Sequence, residues 1–366
     1  MATRSSDKRL EELRSHGKKI YSISRLNTLN QCEYQAYLNY VEKLEGENIG
    51  IYGKLGGKVH DTIEAVIKNE KKPEDLKAAI QDELDDLEMC GIEFPVDRNG
   101  NSTIRDNWVA NMTRFAEEFT KPNGKFDTEE LLILKIDEDH YMMGYADAIR
   151  HKPKSKNNVW LIDWKTSSQF TGDHLIEAGR QLVLYKLALE SLGYVVDKCS
   201  WCMVKYCITK YSQYVKKTKE YVEKEKISEW RNLVKDLKSP IEKFLKEAGY
   251  DDVDIEVMMH ECLQTNTLNP LPDDIKSKFK TSIYVRDYEI TEEIIQETMD
   301  YIKNSIAKYE EYGDEELNYK PCDCSKQAFF CSSLCDFGGK SGQCKYWVDY
   351  CNTFEKPQEE NDEDLF

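Results

Sequence analysis

The chain has no run approaching ~20 consecutive apolar residues, so no membrane-spanning segment is expected. Its opening residues, Met-Ala-Thr-Arg-Ser-Ser-Asp-Lys, lack the apolar stretch of a secretory signal, which leads us to expect a cytoplasmic protein. There is no Walker-type phosphate loop, which argues against an intrinsic helicase, and no internal repeat. Positive charge is in deficit: 51 Lys and Arg face 68 Asp and Glu, for a net charge of −17. That balance argues against indiscriminate coating of DNA, although it leaves room for a local basic groove. Part of the excess sits in residues 355–366, where six acids and one lysine give −5.

What is present supports a real core. Hydrophobic residues make up 40% of 366, enough for one large domain or two modest ones. The most informative stretch is Gly144-Tyr-Ala-Asp147 followed by Ile162-Asp163-Trp164-Lys165-Thr166. Between them, residues 151–158 are polar and contain a proline, so they read as a turn. The flanks, 141–150 and 159–165, are rich in aromatic and β-branched residues and read as strands. Folding this hairpin about its middle sets Asp147 opposite Asp163, within one residue. Alternation along a strand puts Asp163 and Lys165 on one face and Ile162 and Trp164 on the other. Two carboxylates on one half-buried face repel each other and lose hydration. A divalent cation such as Mg2+ relieves both costs and can activate water at a phosphodiester. The ordinary alternative is a surface hairpin with unremarked ion pairs.

Upstream, Gly53-Lys-Leu-Gly-Gly-Lys-Val-His60-Asp-Thr-Ile-Glu64 leads into a helix whose apolar face is Val59, Ile63, Val66 and Ile67. His60 and Glu64 lie one turn apart beside that face. Downstream, Gln181 and Tyr185 are one turn apart on another helical pattern. In this order, the segments resemble the RecB/AddB-type branch of the PD-(D/E)XK nuclease superfamily. Its pattern is a glycine-preceded histidine on a helix, a G-x-x-D strand, a D-x-K-T strand and a Q-x-x-x-Y helix. Residues 24–40, with Leu26, Leu29, Cys32, Tyr34 and Tyr37, resemble the helix that opens these domains, except that Glu33 stands where a Cys-Pro pair would put proline. The resemblance implies Mg2+ or Mn2+ held by His60, Asp147, Asp163 and the Trp164 carbonyl. It further implies Lys165 acting on the attacking water, Gln181 and Tyr185 positioning the site or the DNA, and Glu64 as a weaker supporting residue. It also implies a bacterial or phage-infected host setting, in recombination, repair or phage DNA processing.

Six of twelve cysteines fall between Cys322 and Cys351. In a reducing compartment such density suggests a metal rather than disulfides. Four cysteines such as Cys322, Cys324, Cys331 and Cys335 would suit zinc. The resemblance instead implies a [4Fe–4S] cluster on Cys32, Cys331, Cys335 and Cys344, with Cys351 as a substitute, clamping the first helix to the C-terminal region. Cys90, Cys199, Cys202, Cys207 and Cys262 read as ordinary buried residues.

The expected fold is an α/β restriction-endonuclease-like core with a mixed central sheet, flanking helices, a helical insertion and a cysteine-rich C-terminal end. Residues 1–19 are expected to be mobile and 20–209 to form the nuclease core. Residues 210–280 are expected to be a mainly helical insertion broken or restarted at Ser239-Pro240. Residues 281–354 are expected to carry a strand, a helix capped by Thr291 and the metal cluster, and 355–366 a disordered acidic tail. Strands are expected at 131–135, 141–150, 159–165, 198–206 and 284–290, and a helix at 175–192. Basic residues cluster at 150–156 and 205–224, the latter with Lys210, Lys216, Lys217, Lys219 and four interleaved tyrosines, a mix suited to phosphates and bases or to a solvated face. The final Leu365-Phe366 after acids resembles a replisome docking peptide of the kind that binds a sliding clamp. The leading expectation is a metal-dependent DNA nuclease, most simply an exonuclease on ends or single strands. The rivals are a catalytically silent DNA-binding or scaffold module, and a metallohydrolase of small phosphoesters, which the missing phosphate-cradling loop disfavours.

Overall fold

A computed structural model describes residues 7–47, 50–97, 99–215 and 219–354. Leu365, Phe366, Lys216 and Lys217 lie outside the described residues. The first half of the chain runs α1 (Lys8–Ser15), β1 (Lys19–Ser22), α2 (Ile23–Gln31), α3 (Glu33–Tyr40), α4 (Ile51–Ile67), α5 (Asp75–Met89) and α6 (Thr103–Glu118). It continues through β2 (Lys125–Lys135), β3 (His140–His151), β4 (Asn158–Lys165), α7 (Asp173–Ser191), β5 (Val195–Val215) and β6 (Glu220–Glu229). The remainder is α8 (Leu233–Glu247), α9 (Asp252–Thr265), α10 (Asp273–Lys276), β7 (Lys280–Asp287), α11 (Glu292–Tyr312) and α12 (Lys345–Asn352).

The strands form one mixed seven-stranded sheet, β1-β3-β4-β5-β6, with β2 on the other edge of β3 and β7 on the other edge of β5. β1 with β3 and β4 with β5 are parallel; the other pairs are antiparallel. β4 is apolar on both sides because it is central: Ile162 and Trp164 enter a core with α4, α6 and α8, whereas Val159 and Leu161 enter a second core with α2, α7 and α11. The decisive local feature is on β3. Along one edge, β1 pairs with residues 140–143 and β4 with residues 148–151. Gly144 to Asp147 therefore face a split, where β1 turns into α2 and β4 runs on beyond its last rung, Ala148 opposite Ile162.

Several expectations change. Residues 8–19 are not loose: Asp7 caps α1 by accepting from the Arg9 N–H, and Leu10 is fully buried. One buried leucine among charges carries no periodic signal. The helix read across 24–40 is two helices, broken where Cys32 is extended (φ −154, ψ 108). Residues 210–215 and 220–229 are strand rather than helix. β6 is almost wholly exposed, so no apolar alternation marks it, but Tyr206, Tyr211, Tyr214 and Tyr221 suit a sheet. Pro240 does not interrupt α8. An interior proline costs about 3 kcal/mol, less than the burial of Leu237, Ile241, Phe244 and Leu245, each about 1.5–3 kcal/mol. Thr291 does cap α11, accepting from the Ile294 N–H, and Gly313 ends it at φ 54.

Part of each basic run is neutralised. Lys152 pairs with Asp197, Lys205 with Glu229 and Lys210 with Glu225, while Arg150 lies over the Phe126 and Trp160 rings. Cys90 is exposed, whereas Cys199, Cys202, Cys207 and Cys262 are buried as expected. Cys199 and Cys202 enter opposite cores, so they form no chelating pair. Among the described residues, no helix is long and apolar enough to cross a membrane.

The docking of α1 is testable. Leu10→Ala should cost about 2–5 kcal/mol in urea unfolding, the range for a leucine deleted from a packed interior. An unchanged midpoint would mean that α1 contributes nothing to the fold.

Candidate active site

The split in the sheet opens a cleft of about 470 Å³, walled by α2 (Ile23, Ser24, Asn27), α4 (Gly57, His60) and α7 (Gln181, Tyr185), with Asp147 on its floor. A second hollow of about 440 Å³ adjoins it and holds Lys165, Ser167, Phe170 and His174. The two share Ile23, Asn27 and Gln181, so together they make one groove with these residues at its saddle.

Every side chain that the sequence singled out for catalysis is at this split. His60 Nδ1 lies 3.4 Å from Asp147 Oδ2, and the same oxygen accepts the Trp164 backbone N–H at 2.8 Å. On the neighbouring strand, Lys165 Nζ lies 2.7 Å from Asp163 Oδ2. Lys165 also donates to Gln181 Oε1 at 3.2 Å, and Gln181 Nε2 bonds Tyr185 Oη at 3.0 Å. The Trp164 ring packs in the core, against Phe119. Glu64, by contrast, is turned away: it pairs with Lys68 at 2.5 Å and accepts from Thr128 Oγ1 at 3.2 Å.

The two carboxylates live in different environments. Asp163 is 1% exposed, and the Lys165 ammonium meets its Oδ2 at 2.7 Å. Burial pushes the Asp163 carboxyl up to about 6, with Asp147 reinforcing the shift and Lys165 opposing it. Burial also acts to raise Asp147, but the His60 hydrogen bond and charge, Lys165 and the Trp164 N–H outweigh it and hold Asp147 below the usual carboxylate range. His60 is raised: burial opposes protonation, and Asp147 overcomes it. Lys165 is likewise raised against burial by Asp163. Neighbouring carboxyls with pKa values driven apart are a mark of catalytic sites.

A buried carboxylate beside a second carboxylate and an imidazole is a ligand set that a hard divalent cation satisfies. The ligand atoms of His60, Asp147 and Asp163 do not yet converge: Asp147 faces His60, and Asp163 faces Lys165. Among the described residues the trio of His, Cys, Asp or Glu ligand atoms found within 4.8 Å of one another is elsewhere, at Cys322, Cys324 and Cys331.

A family model described as the PD-(D/E)XK nuclease superfamily matches residues 20–262. The chain belongs to the PD-(D/E)XK nuclease superfamily. Membership implies metal-dependent nuclease chemistry, for which this superfamily typically uses Mg2+ or Mn2+. No curated protein matches the chain. The matched segment contains the whole catalytic groove and ends before the cysteine-rich region.

Sequence reasoning missed Glu129. It lies on β2 at the register position opposite Asp147, lines the cleft and adopts φ 51, a conformation rare for a non-glycine residue and found disproportionately at functional sites. The strand read from sequence started two residues later, so no motif pointed to it.

The cysteines gather at the far end of α2. Cys32, Cys322, Cys324, Cys331, Cys335 and Cys344 line one small cavity; Cys351 does not. Cys322 Sγ is 3.6 Å from Cys331 Sγ, and the Cys322 N–H donates to Cys32 Sγ at 3.4 Å. That hydrogen-bonded neighbour lowers Cys32 to about 6, while burial pushes Cys331 and Cys335 up to about 12. Both ligand sets read from sequence thus face the same cavity. The tight trio of Cys322, Cys324 and Cys331 comes from the zinc set.

Gly144 is required by space. A Cβ there would lie 2.5 Å from Tyr185 Cε1 and 2.8 Å from its hydroxyl. Gly144→Ala should therefore cost about 1–3 kcal/mol by overpacking, and less in a Tyr185→Ala background. Urea unfolding of the four proteins reads that coupling; equal costs in both backgrounds would refute the contact.

Proposed function

We propose that this protein is a Mg2+- or Mn2+-dependent DNA exonuclease of the RecB/AddB type, acting on ends or single strands in recombination, repair or phage DNA processing. The observation that supports it most is the buried Asp163 carboxylate held beside Asp147, His60 and Lys165 at a groove. His60, Asp147 and Asp163, with the Trp164 carbonyl, would hold the cation. When bound, it would polarise the scissile phosphate and supply a more acidic water. Lys165 stays charged in its buried setting and is free to turn from Asp163 to the attacking water or to the charge developing on phosphate. Gln181 fixes the Lys165 ammonium through one end of its amide and Tyr185 through the other. The silent-module alternative leaves two carboxylates held side by side without a purpose, since burying like charges together destabilises a fold.

For the cysteine centre we favour the iron–sulfur reading, in which a cluster joins the break between α2 and α3 to the C-terminal segment. Protein contacts already follow that path: the Tyr34 N–H donates to the Lys320 carbonyl, and Glu33 accepts from the Lys320 N–H. The ligand sets separate by mutation of anaerobically purified protein. Cys331→Ala, common to both sets, should lose the metal. Cys344→Ala should lose iron and sulfide if the cluster reading holds, whereas loss confined to Cys324→Ala, with zinc as the only metal found, would establish the zinc site instead. Cys351→Ala should retain full metal content.

The nuclease reading is tested on end-labelled single- and double-stranded DNA with Mg2+ or Mn2+. Lys165→Ala should lower the cleavage rate at least about 100-fold with DNA binding retained. Asp163→Ala should abolish cleavage and also remove the rise in melting temperature that Mn2+ gives the native protein. Full activity in Lys165→Ala would sink the mechanism.

A further inference from the structure

Asn27 sits at the saddle of the groove, on α2, facing both hollows. Its carboxamide has a fixed orientation. Asn30 Nδ2 donates to the Leu26 carbonyl at 2.9 Å, which sets the Asn30 amide with its nitrogen inward. That nitrogen also reaches Ser305 Oγ at 2.9 Å and Tyr301 Oη at 3.2 Å. The Tyr301 hydroxyl, accepting from Asn30, spends its own proton on Asn27 Oδ1 at 2.7 Å. The ring of Tyr301 is pinned by Arg180, whose guanidinium lies 3.7 Å from its centroid and pairs with Glu297 at 2.6 Å. With Oδ1 committed to Tyr301, the Asn27 Nδ2 donors are turned to the groove, where no acceptor among the described residues meets them.

Two N–H donors held over a groove beside two carboxylates are available to an acceptor from outside the chain. Lys165 and Gln181 are engaged with each other across the saddle, so Asn27 offers the open donors there. We propose that Asn27 is a strand-positioning residue: its Nδ2 donates to a nonbridging oxygen of the phosphate next to the scissile one, with Tyr301 setting the direction of the donors. The inference rests on the nuclease reading and deepens it, since it gives the substrate a path over the saddle between α2 and α7. Hydrogen bonding from a neutral amide also suits an acidic chain, because it holds phosphate without another cation.

The test compares Asn27→Ala, Asn27→Asp and Tyr301→Phe. Binding of a fluorescein-labelled single-stranded oligonucleotide is measured with Mn2+ in a Lys165→Ala background, and steady-state cleavage in the native background. Asn27→Ala should raise Kd and KM about tenfold with kcat nearly unchanged, the loss of a hydrogen bond to a charged group. Asn27→Asp keeps the acceptor for Tyr301 but turns a carboxylate toward phosphate, so it should bind more weakly still. A methylphosphonate at the contacted position should erase that extra penalty. Tyr301→Phe should show a smaller loss, since it frees the amide without removing it. A residue that merely ties α2 to α11 would give the reverse order: Asn27→Asp like the native protein, and Tyr301→Phe as harmful as Asn27→Ala. That order overturns the proposal while leaving the nuclease reading intact if the native protein cleaves. A native protein that neither binds nor cleaves DNA overturns both.

Discussion

Two carboxylates held on one face of a central sheet constrain everything around them. Unit charges 4 Å apart interact by about 4 kcal/mol at a near-surface dielectric, and burial adds a desolvation cost. The fold answers by giving each carboxylate its own cation: His60 from α4 for Asp147, and Lys165 from the same strand for Asp163. The two responses differ in completeness. Asp147 also receives the Trp164 N–H and stays ionised, whereas Asp163 is fully buried with Lys165 as its partner and its pKa rises. The asymmetry follows from the split sheet. A continuous β1 or β4 along β3 would have left no opening for a helix from either side to reach the carboxylates.

The nine-residue helix α2 connects this site to the cysteine centre. Its first turn carries Ile23, Ser24 and Asn27 into the groove wall, and it ends at Cys32 on the cavity of six thiols. A helix of that length spans only ~14 Å, so a displacement at one end is felt at the other. The C-terminal segment grips the same region. Gln343 accepts from the Glu47 N–H and donates to the Glu45 carbonyl, and Lys308 pairs with Glu33. On its groove-facing side, α2 is braced by α11 through Asn27, Asn30, Tyr301 and Ser305. The groove wall is therefore held by two sets of contacts that are both remote in sequence from the catalytic strands.

Legibility in the sequence followed the range of the interactions. The β3–β4 hairpin could be read because its turn chemistry and alternation are local, and the observed ladder, whose last rung is Ala148 opposite Ile162, stops one step short of Asp147 and Asp163. α11 was readable for the same reason, with a cap at Thr291 and a stop at Gly313. Glu129 was not, because its place opposite Asp147 depends on a strand pairing that starts where β2 is polar. Asn27 was hidden because an asparagine on a helix looks solvated until a tyrosine from α11, more than 270 residues away, is seen to orient it. The parallel pairing of β1 with β3 was also beyond reach, and with it the split that makes the cleft. The cysteine cavity was half legible. Dense spacing marked the C-terminal ligands, but which of six thiols converge depends on how the segment folds over α3.

Charge poses the remaining problem, since a chain with a net charge of −17 must hold a polyanion. Part of the basic runs that composition offers for the purpose is committed to acids: Lys152 to Asp197, Lys205 to Glu229, Lys210 to Glu225. On β6 an exposed Tyr221 packs edge-on against Tyr214 at 5.4 Å, in a strand with four glutamates and two lysines. The groove itself is lined by one lysine, amides and hydroxyls together with carboxylates, so its hold on phosphate depends on directional donors more than on net positive charge. Such a site attracts DNA weakly from a distance, because long-range steering depends on net charge. It discriminates well at contact, because directional donors reward only a strand in register. A groove built this way favours a strand seated in register over one that is merely nearby.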